Sequence, residues 1–300
     1  MTRHRALVAA TALVLSAGLA GCGEDEPTAQ DPGGDETTSA AASPSEEPTE
    51  PSEDPSQEPA DQVTVPVYFV GETPQGPRLY REFRKVEADN PLDEALALMT
   101  AGDTLDPDYS TLYPGGSFSG ATVEDSVIAV SVPDDGWRTP PDGMTADEAQ
   151  LAVQQLVYTV QGVAQKRLPV EVRLSDKNTV LFGVDTAAGI QAAPQLDVLA
   201  FVNVTSPEEG QSVSGTFTAS GVASSFEATV PWVIRDESGA DVLDGFATAE
   251  GWMDKLYPWE TEVDVSSLAP GTYSFVAKTD DPSDGEGAGP TEDSKTITVG

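Results

Sequence analysis

Residues 23–62 place the strongest constraint on what this chain can fold into. They hold 13 Asp or Glu and seven Pro, no Lys or Arg, and only a few Ala as apolar side chains. Such a composition cannot bury enough apolar surface to offset the entropy lost on folding, so we expect a disordered segment. Proline stiffens it and like charges extend it, which predicts an acidic, Pro-rich tether at 22–62. A docking site for basic partners or divalent cations is the alternative.

The first residues have the layout of a secretory signal. A positive start at residues 3–5 precedes a nearly unbroken apolar run at residues 6–20. This run is shorter than the roughly 20 residues that a helix needs to cross a bilayer. The sequence therefore predicts a signal peptide at residues 1–21.

Cys22 follows this run directly and is the only cysteine of the chain. The stretch Leu19-Ala20-Gly21-Cys22 resembles a bacterial lipobox. This resemblance implies cleavage before Cys22, a diacylglycerol on its sulfur and often an acylated amine. Two or more acyl chains give a stable anchor, so we expect the mature chain at the outer face of the cytoplasmic membrane. An ordinary signal peptide with a chance cysteine is the alternative.

The composition excludes several classes of function. A net charge of −36 makes nucleic acid a poor partner. One cysteine excludes an intrachain disulfide and a Cys-rich metal site. The only histidine, His4, lies in the predicted signal peptide. The mature chain therefore lacks a Ser-His-Asp or Cys-His mechanism and the usual zinc ligands, and we expect no metal and no cofactor.

Residues 63–197 mix helical and strand patterns. Apolar alternation predicts strands at 63–70 and 79–86. Asn90-Pro91 predicts the start of a helix that Gly102 ends, with Asn90 as its cap. Thr145 and Glu148 predict a capping box before a second amphipathic helix. Further strands are predicted at 127–132, 170–174 and 180–184. This mixture indicates an α+β or α/β domain, of which we expect the α+β class.

Residues 198–300 show no long helical stripe. Short alternating runs recur at 200–204, 212–219, 226–234, 260–265, 272–278 and 296–299, separated by turn signals. Strands of this length and spacing predict an immunoglobulin-like sandwich. Because the linker at 192–197 is short, we expect the two domains to touch.

Both parts resemble known families. Residues 63 to about 190 resemble a GerMN domain, the sporulation and spore-germination domain, through the stretches Val65-Pro66-Val67-Tyr68-Phe69-Val70, Asn90-Pro91-Leu92-Asp93-Glu94-Ala95-Leu96, Ala149-Gln150-Leu151 and Gln155-Leu156-Val157-Tyr158-Thr159-Val160. Residues 200–299 resemble the immunoglobulin-like domain associated with bacterial spore germination, through Val204-Thr205-Ser206-Pro207, Gly221, Phe226-Glu227-Ala228, Trp259 and Pro270-Gly271. The resemblance implies non-catalytic modules at the cell envelope.

Carboxylates are the only candidates for catalysis or metal binding. Adjacent acids such as Asp134-Asp135 are frequent, so their pairing alone carries no weight. The acidic run at 280–286 has the composition of a calcium-binding loop. However, Thr291 occupies the twelfth position, where an EF-hand needs Glu. A looser calcium site and a solvated turn both stay open there. We therefore name no catalytic residue.

Three aromatic residues cluster near the end of the chain. Trp252, Tyr257 and Trp259 fall within eight residues, although aromatic residues make up 7% of the sequence. Trp259 matches the pattern of the sandwich and is predicted in its core. Trp252 and Tyr257 precede the strand predicted at 260–265 and are candidate contact residues, since exposed aromatic side chains often anchor a partner.

The sequence thus predicts a lipid-anchored, extracytoplasmic interaction module. Its expected role lies in cell-envelope or sporulation and germination processes, through contacts with an envelope protein or with peptidoglycan. The alternatives are a cell-wall hydrolase that uses Asp and Glu, or a lipoprotein that captures a small ligand or cation. The sequence does not indicate an oligomeric state.

Overall fold

The structure is a computed structural model that describes residues 61–281 and 286–300. The predicted signal peptide, Cys22 and the predicted tether up to residue 60 lie outside the described residues. The first strand, β1 (Gln62–Gly71), begins one residue inside the predicted tether. Within the described ranges, no helix combines the length and the apolar composition that a membrane crossing requires.

The α+β domain has a hydrophobic core drawn from residues between Val65 and Ala200. Its strands are β1 (Gln62–Gly71), β2 (Arg78–Glu87), β3 (Tyr109–Ser110), β4 (Gly120–Val123), β5 (Ile128–Ser131), β6 (Val170–Leu174), β7 (Lys177–Asn178), β8 (Val180–Leu181) and β9 (Val184–Asp185). Their sheets have the orders β2-β1-β3, β4-β5-β6-β7 and β8-β9. β1 and β2 pair antiparallel along their full length, whereas β5 and β6 run parallel.

The first helix, α1 (Pro91–Ala101), has the predicted ends but not the predicted cap. Gly102 follows its last residue with a φ of 64°, a left-handed conformation that suits glycine. Asn90 holds the N-cap position, but its side chain makes no capping hydrogen bond. Its ψ of 49° lies outside the extended region from which a cap side chain reaches the first helical amides, so the prediction for Asn90 is wrong.

The second helix, α2 (Ala146–Ala164), has the predicted capping box. Thr145 Oγ1 accepts from the backbone N–H of Glu148 at 3.2 Å, and Thr145 N donates to Glu148 Oε2 at 2.7 Å. α2 also makes the crossover that the parallel pair β5 and β6 needs. Tyr158 and Thr159 bond within this domain, since Tyr158 Oη donates to Ala193 O and Thr159 Oγ1 accepts from Tyr68 N.

The second domain is an immunoglobulin-like sandwich. Its strands are β10 (Val202–Ser206), β11 (Gln211–Val213), β12 (Thr216–Ala223), β13 (Thr229–Arg235), β14 (Asp241–Thr248), β15 (Tyr257–Asp264), β16 (Gly271–Lys278) and β17 (Glu292–Val299). One sheet has the order β10-β12-β15 and the other β11-β17-β16-β13-β14. Apolar residues of both sheets share one core, which confirms the predicted fold class.

Local details differ from the predicted strands. The run 212–219 divides into β11 and β12 because Gly215, at a φ of 60°, interrupts it. The run 180–184 is a tight hairpin, with Phe182 and Gly183 at positive φ between β8 and β9. β14 was not predicted. It is an edge strand whose side chains are mostly exposed, so its sequence shows only weak apolar alternation.

The residues that join the two domains are fixed against β2 of the first domain. A short helix, α3 (Gln195–Val198), leads into Leu199, which forms an isolated parallel bridge with Leu79 of β2. The guanidinium of Arg78 lies 4.5 Å from the ring centroid of Phe201. The end of the first domain is therefore bound to β2 before the sandwich begins.

A buried ionic cluster joins the domains further from the junction. The ammonium of Lys295, on β17, contacts the carboxylate of Asp106, in the loop after α1, and lies 3.1 Å from Asp293 Oδ1. Lys295 Nζ also donates to Tyr109 Oη at 2.8 Å. All four side chains are buried. Burial disfavours the charged form of Lys295 and so lowers its pKa. The negative charges of Asp293 and Asp106 outweigh this effect, and the pKa of Lys295 is raised.

Neutral groups complete the hydrogen bonds of this cluster. Tyr109 Oη donates to Asp293 Oδ1 at 2.6 Å, and Asn203 Nδ2 donates to Asp293 Oδ2 at 3.0 Å. Tyr80 stacks on Tyr109 with centroids 4.8 Å apart and donates its hydroxyl to Glu292 O at 3.0 Å. Burial raises the pKa of Tyr109 well above its ordinary value, so its hydroxyl keeps the proton that it donates.

Replacing Asp106 by Asn tests this cluster through its pH dependence. Burial raises the pKa of Asp106 from its ordinary 3.8 to about 6, although Lys295 acts in the opposite direction. The folded chain then binds this proton at a higher pH than the unfolded chain does, so the contribution of Asp106 to the free energy of unfolding falls as the pH rises from about 4 to 7. We therefore expect the free energy of unfolding, measured in urea, to fall more for the wild type than for Asp106→Asn as the pH rises across this interval. Two parallel pH profiles would contradict the assignment.

Candidate functional site

An exposed aromatic patch on the sandwich contains one of the two predicted contact residues. Trp252 is 37% exposed and meets Phe226, 38% exposed, edge to face with ring centroids 5.2 Å apart. Met253, 68% exposed, follows Trp252 in the same loop. We call Phe226, Trp252 and Met253 the aromatic patch. It joins side chains from the β12–β13 and β14–β15 loops.

Tyr257, the other predicted contact residue, lies beside this patch and is partly buried. It is the first residue of β15, where it pairs with Ala223, and so it lies within the strand that it was expected to precede. Its ring packs partly against the sandwich core, and its hydroxyl donates to Asp254 Oδ1 at 2.8 Å. Lys255 Nζ lies 4.7 Å from the centroid of the ring. Tyr257 therefore flanks the loop that carries Trp252.

Hydrogen bonds hold the strained backbone that carries the aromatic patch. Glu227 and Ala228 have φ values of 50° and 61°, and Met253 has a φ of 89°. Left-handed backbone is costly for residues other than glycine and persists only where the surroundings enforce it. Here Met253 N donates to Ser224 Oγ at 3.2 Å, and Ala249 N donates to Ala228 O at 2.8 Å. Hydrogen bonds therefore fix the backbone of both loops in the conformation that exposes their apolar side chains.

No local sequence pattern indicates that Phe226 and Met253 are exposed beside Trp252. The apolar alternation of 226–234 assigned Phe226 to a strand, but residues Phe226–Ala228 form a 3₁₀ turn ahead of β13. A Glu-Ala pair in left-handed conformation has no sequence signature, since neither residue favours it. A resemblance to Phe226-Glu227-Ala228 in the family pattern was the one available signal, and it carried no information on exposure.

Trp259 lies in the sandwich core, as predicted. It is 3% exposed and packs with apolar residues of both sheets. Gly221 of β12 lies against its indole, where an added Cβ would come within 2.9 Å of Trp259 and 2.2 Å of Asn203 O. A larger residue at 221 would force strand and indole apart.

Within the described ranges, no group of His, Cys, Asp or Glu has the arrangement of a metal site. The predicted acidic run at 280–286 falls partly outside these ranges. Asp106 is a carboxylate with a strongly raised pKa, but it is buried and contacts Lys295. Asp106 borders a small pocket of about 70 Å³, but a glycosidase acid must be free to protonate its substrate, whereas Lys295 holds the Asp106 carboxylate. The geometry of Asp106 thus fits the joining of domains.

Two family models match the chain in sequence order. Residues 66–178 match the model described as sporulation and spore germination, and residues 201–286 match the immunoglobulin-like domain of bacterial spore germination. The chain contains a GerMN domain followed by an immunoglobulin-like domain of the bacterial spore-germination type. The aromatic patch thus lies on the immunoglobulin-like domain, and Lys295 joins that domain to the GerMN domain.

Comparison with solved structures finds distant likenesses. The tandem GerMN domains of the sporulation protein GerM from Bacillus subtilis align with a TM-score of 0.36 and 11% identity, over 69% of this chain and 62% of that one. This chain therefore spans less than two thirds of the tandem-domain structure. A putative lipoprotein from Clostridium perfringens aligns with a TM-score of 0.26 and 14% identity, over 41% of this chain and 80% of that one. No curated protein matches.

Truncating the tryptophans separates exposed contact residues from core residues. Trp259→Ala removes a buried indole and should lower the free energy of unfolding by about 3–5 kcal/mol. Trp252→Ala loses the contact with Phe226 and should cost about 1 kcal/mol or less. Urea unfolding of both variants checks this difference. Equal losses would mean that Trp252 is a structural residue.

Proposed function

We propose that this chain is a lipid-anchored interaction module of the cell envelope that acts in a sporulation- or germination-type process and docks a protein partner through the aromatic patch. The two domain families support the process, because both are described by sporulation or germination. The lipobox at Cys22 supports the anchor. The function is one of binding rather than catalysis.

The aromatic patch carries the proposal. Solvent exposure of three large apolar side chains is unfavourable, and strained backbone adds to that cost. An occupant that buries Phe226, Trp252 and Met253 would recover the part of this cost that comes from their exposure to water. Tryptophan and other aromatic residues dominate the binding energy of protein interfaces, and methionine adapts to partner surfaces.

The surroundings of the patch favour a protein as the occupant. Glu227, Asp254 and Lys255 are exposed and adjoin the patch in the sequence. They would form the polar rim that surrounds the apolar centre of a typical interface. Charged residues of both signs in this rim suit the mixed surface of a protein better than the uniform surface of a glycan.

Removing the patch should abolish docking without unfolding the chain. In living cells that produce the full chain, we expect chemical cross-linking to capture one partner, and Phe226→Ala with Trp252→Ala to lower its recovery. A loss of at least 2 kcal/mol, typical of an interface hot spot, corresponds to a drop of about 30-fold in affinity. Phe83→Ala is the matched control, because Phe83 is 40% exposed but belongs to the GerMN domain.

Three outcomes would contradict the proposal. Equal recovery of the partner by the double variant and the wild type would remove the patch from the interface. Sedimentation of the wild type, but not of the double variant, with purified peptidoglycan would assign the patch to the cell wall. Release of soluble fragments from that peptidoglycan would favour the hydrolase.

Replacing Cys22 tests the anchor separately. Cys22→Ala removes the sulfur that would carry the diacylglycerol, so we expect the variant to lose its fatty-acid label. It should be cut elsewhere and shed, or stay uncut as a precursor. Metabolic labelling with a fatty acid, followed by detergent phase partitioning, measures both effects. A variant that still partitions into detergent after its signal has been removed would contradict lipid attachment.

A further inference from the structure

The strand β14 of the immunoglobulin-like domain has one open edge. It is the last strand of its sheet, and among the described residues its backbone pairs with β13 alone. Alternate N–H and C=O groups of such a strand point away from the sheet and carry no partner within it. An open edge of this kind can accept a further strand from another chain.

The other edge strands of the described ranges are short, occupied or protected. Seven of them have only two to five residues. β2 uses its open edge at the domain junction, where Arg81 N donates to Asn203 Oδ1 at 3.2 Å. Proline and charged side chains keep strand edges from pairing, and β15 exposes four such residues along one face, Pro258, Glu260, Glu262 and Asp264. β14 is eight residues long and contains no proline and no lysine.

Packing fixes the direction of the side chains along β14. Leu243 and Ala247 pack against the core of the sandwich. Gly245, between them, lies against the indole of Trp232, where an added Cβ would come within 2.3 Å of Cζ2. Because successive side chains of a strand point to opposite faces, the residues that alternate with these three form an outer face of the sheet.

Two exposed apolar side chains flank an acid on this outer face. Val242, at a β-bulge at the start of the strand, is 40% exposed, and Phe246 is 67% exposed. The carboxylate of Asp244, between them, forms no ion pair or hydrogen bond with the residues that the structure describes. Its partner on β13 is Val233, so the neighbouring strand places no cation opposite it. A cation for Asp244 must come from the open side.

The charge of the chain argues against a second copy as the occupant of this edge. Two chains that each carry a net charge of −36 repel one another. An antiparallel pair of β14 strands centred on Asp244 would also place the two acids opposite each other, and like charges in that position are destabilising. The edge therefore favours a strand with a different sequence.

We propose that β14 binds an extended segment of another protein as a sixth strand of its five-stranded sheet. Backbone hydrogen bonds along the open edge hold the segment. A basic residue of the segment lies opposite Asp244, and apolar residues two positions before and after it cover Val242 and Phe246. The segment thus has an apolar, basic, apolar alternation, which reads the same in both strand directions. None of these side chains belongs to the aromatic patch, so the two surfaces are tested independently.

Titration of the full mature chain, produced without its lipid and labelled with nitrogen-15, tests the site. The probe is the synthetic peptide Thr-Val-Thr-Lys-Thr-Val-Thr with blocked ends, and changes in amide chemical shifts locate its binding. Two further peptides carry N-methyl groups on one or the other set of alternate residues. Only alternate N–H groups of an added strand face the edge. We therefore expect one methylated peptide to lose binding and the other to keep it.

Exchange of the charge at Asp244 checks the predicted side-chain contact. A cross-strand pair of opposite charge contributes up to about fivefold in affinity. Asp244→Lys should therefore weaken binding of the probe about fivefold and strengthen binding of a peptide whose central Lys is replaced by Glu. Glu260→Lys is the matched control, because it makes the same charge change at an exposed position of β15, in the other sheet. Amide spectra like that of the wild type verify that each variant is folded.

Four results would overturn the proposal. The first is no binding of the probe to the wild type at millimolar concentration. The second is equal binding of the two methylated peptides, which would exclude pairing along an edge. The third is an equal loss of binding in Glu260→Lys and Asp244→Lys. The fourth is a dimer of the free wild type in sedimentation equilibrium that Phe246→Ala abolishes, which would assign the edge to a second copy.

Discussion

The ammonium of Lys295 is the interaction on which the arrangement of this protein depends. It contacts Asp106 of the GerMN domain and Asp293 of its own domain in a region closed to solvent. Removing one partner from such a buried ionic contact typically costs about 3–5 kcal/mol, because the remaining charge stays buried without compensation. Separating the domains would expose the cluster to water. The two domains therefore hold one another in a defined geometry.

The aromatic patch differs in its chemistry from the rest of this chain. It exposes Phe226, Trp252 and Met253 on the immunoglobulin-like domain. Such a patch suits the apolar surface of a protein partner. On a chain with a net charge of −36, it is an exception to a surface that otherwise favours solubility.

The patch depends on strained loops, where hydrogen bonds such as that from Met253 N to Ser224 Oγ hold left-handed residues. The packed core of the sandwich supports these loops, as the contact of Trp259 with Gly221 illustrates. Binding would then require little ordering of the protein, which favours affinity.

The sequence by itself determined the features that arise from neighbours along the chain. Apolar alternation located most strands, and the capping box of Thr145 and Glu148 was predictable because its two residues lie three positions apart. The core position of Trp259 followed from its match to the pattern of the immunoglobulin-like family that the chain resembles. Tertiary structure decided the rest. Lys295 meets Asp106 across 189 positions, and no local pattern encodes that contact. Asn90 lacks its cap bond, and Phe226 leaves its expected strand, because surrounding contacts outweigh the weak preferences of single residues.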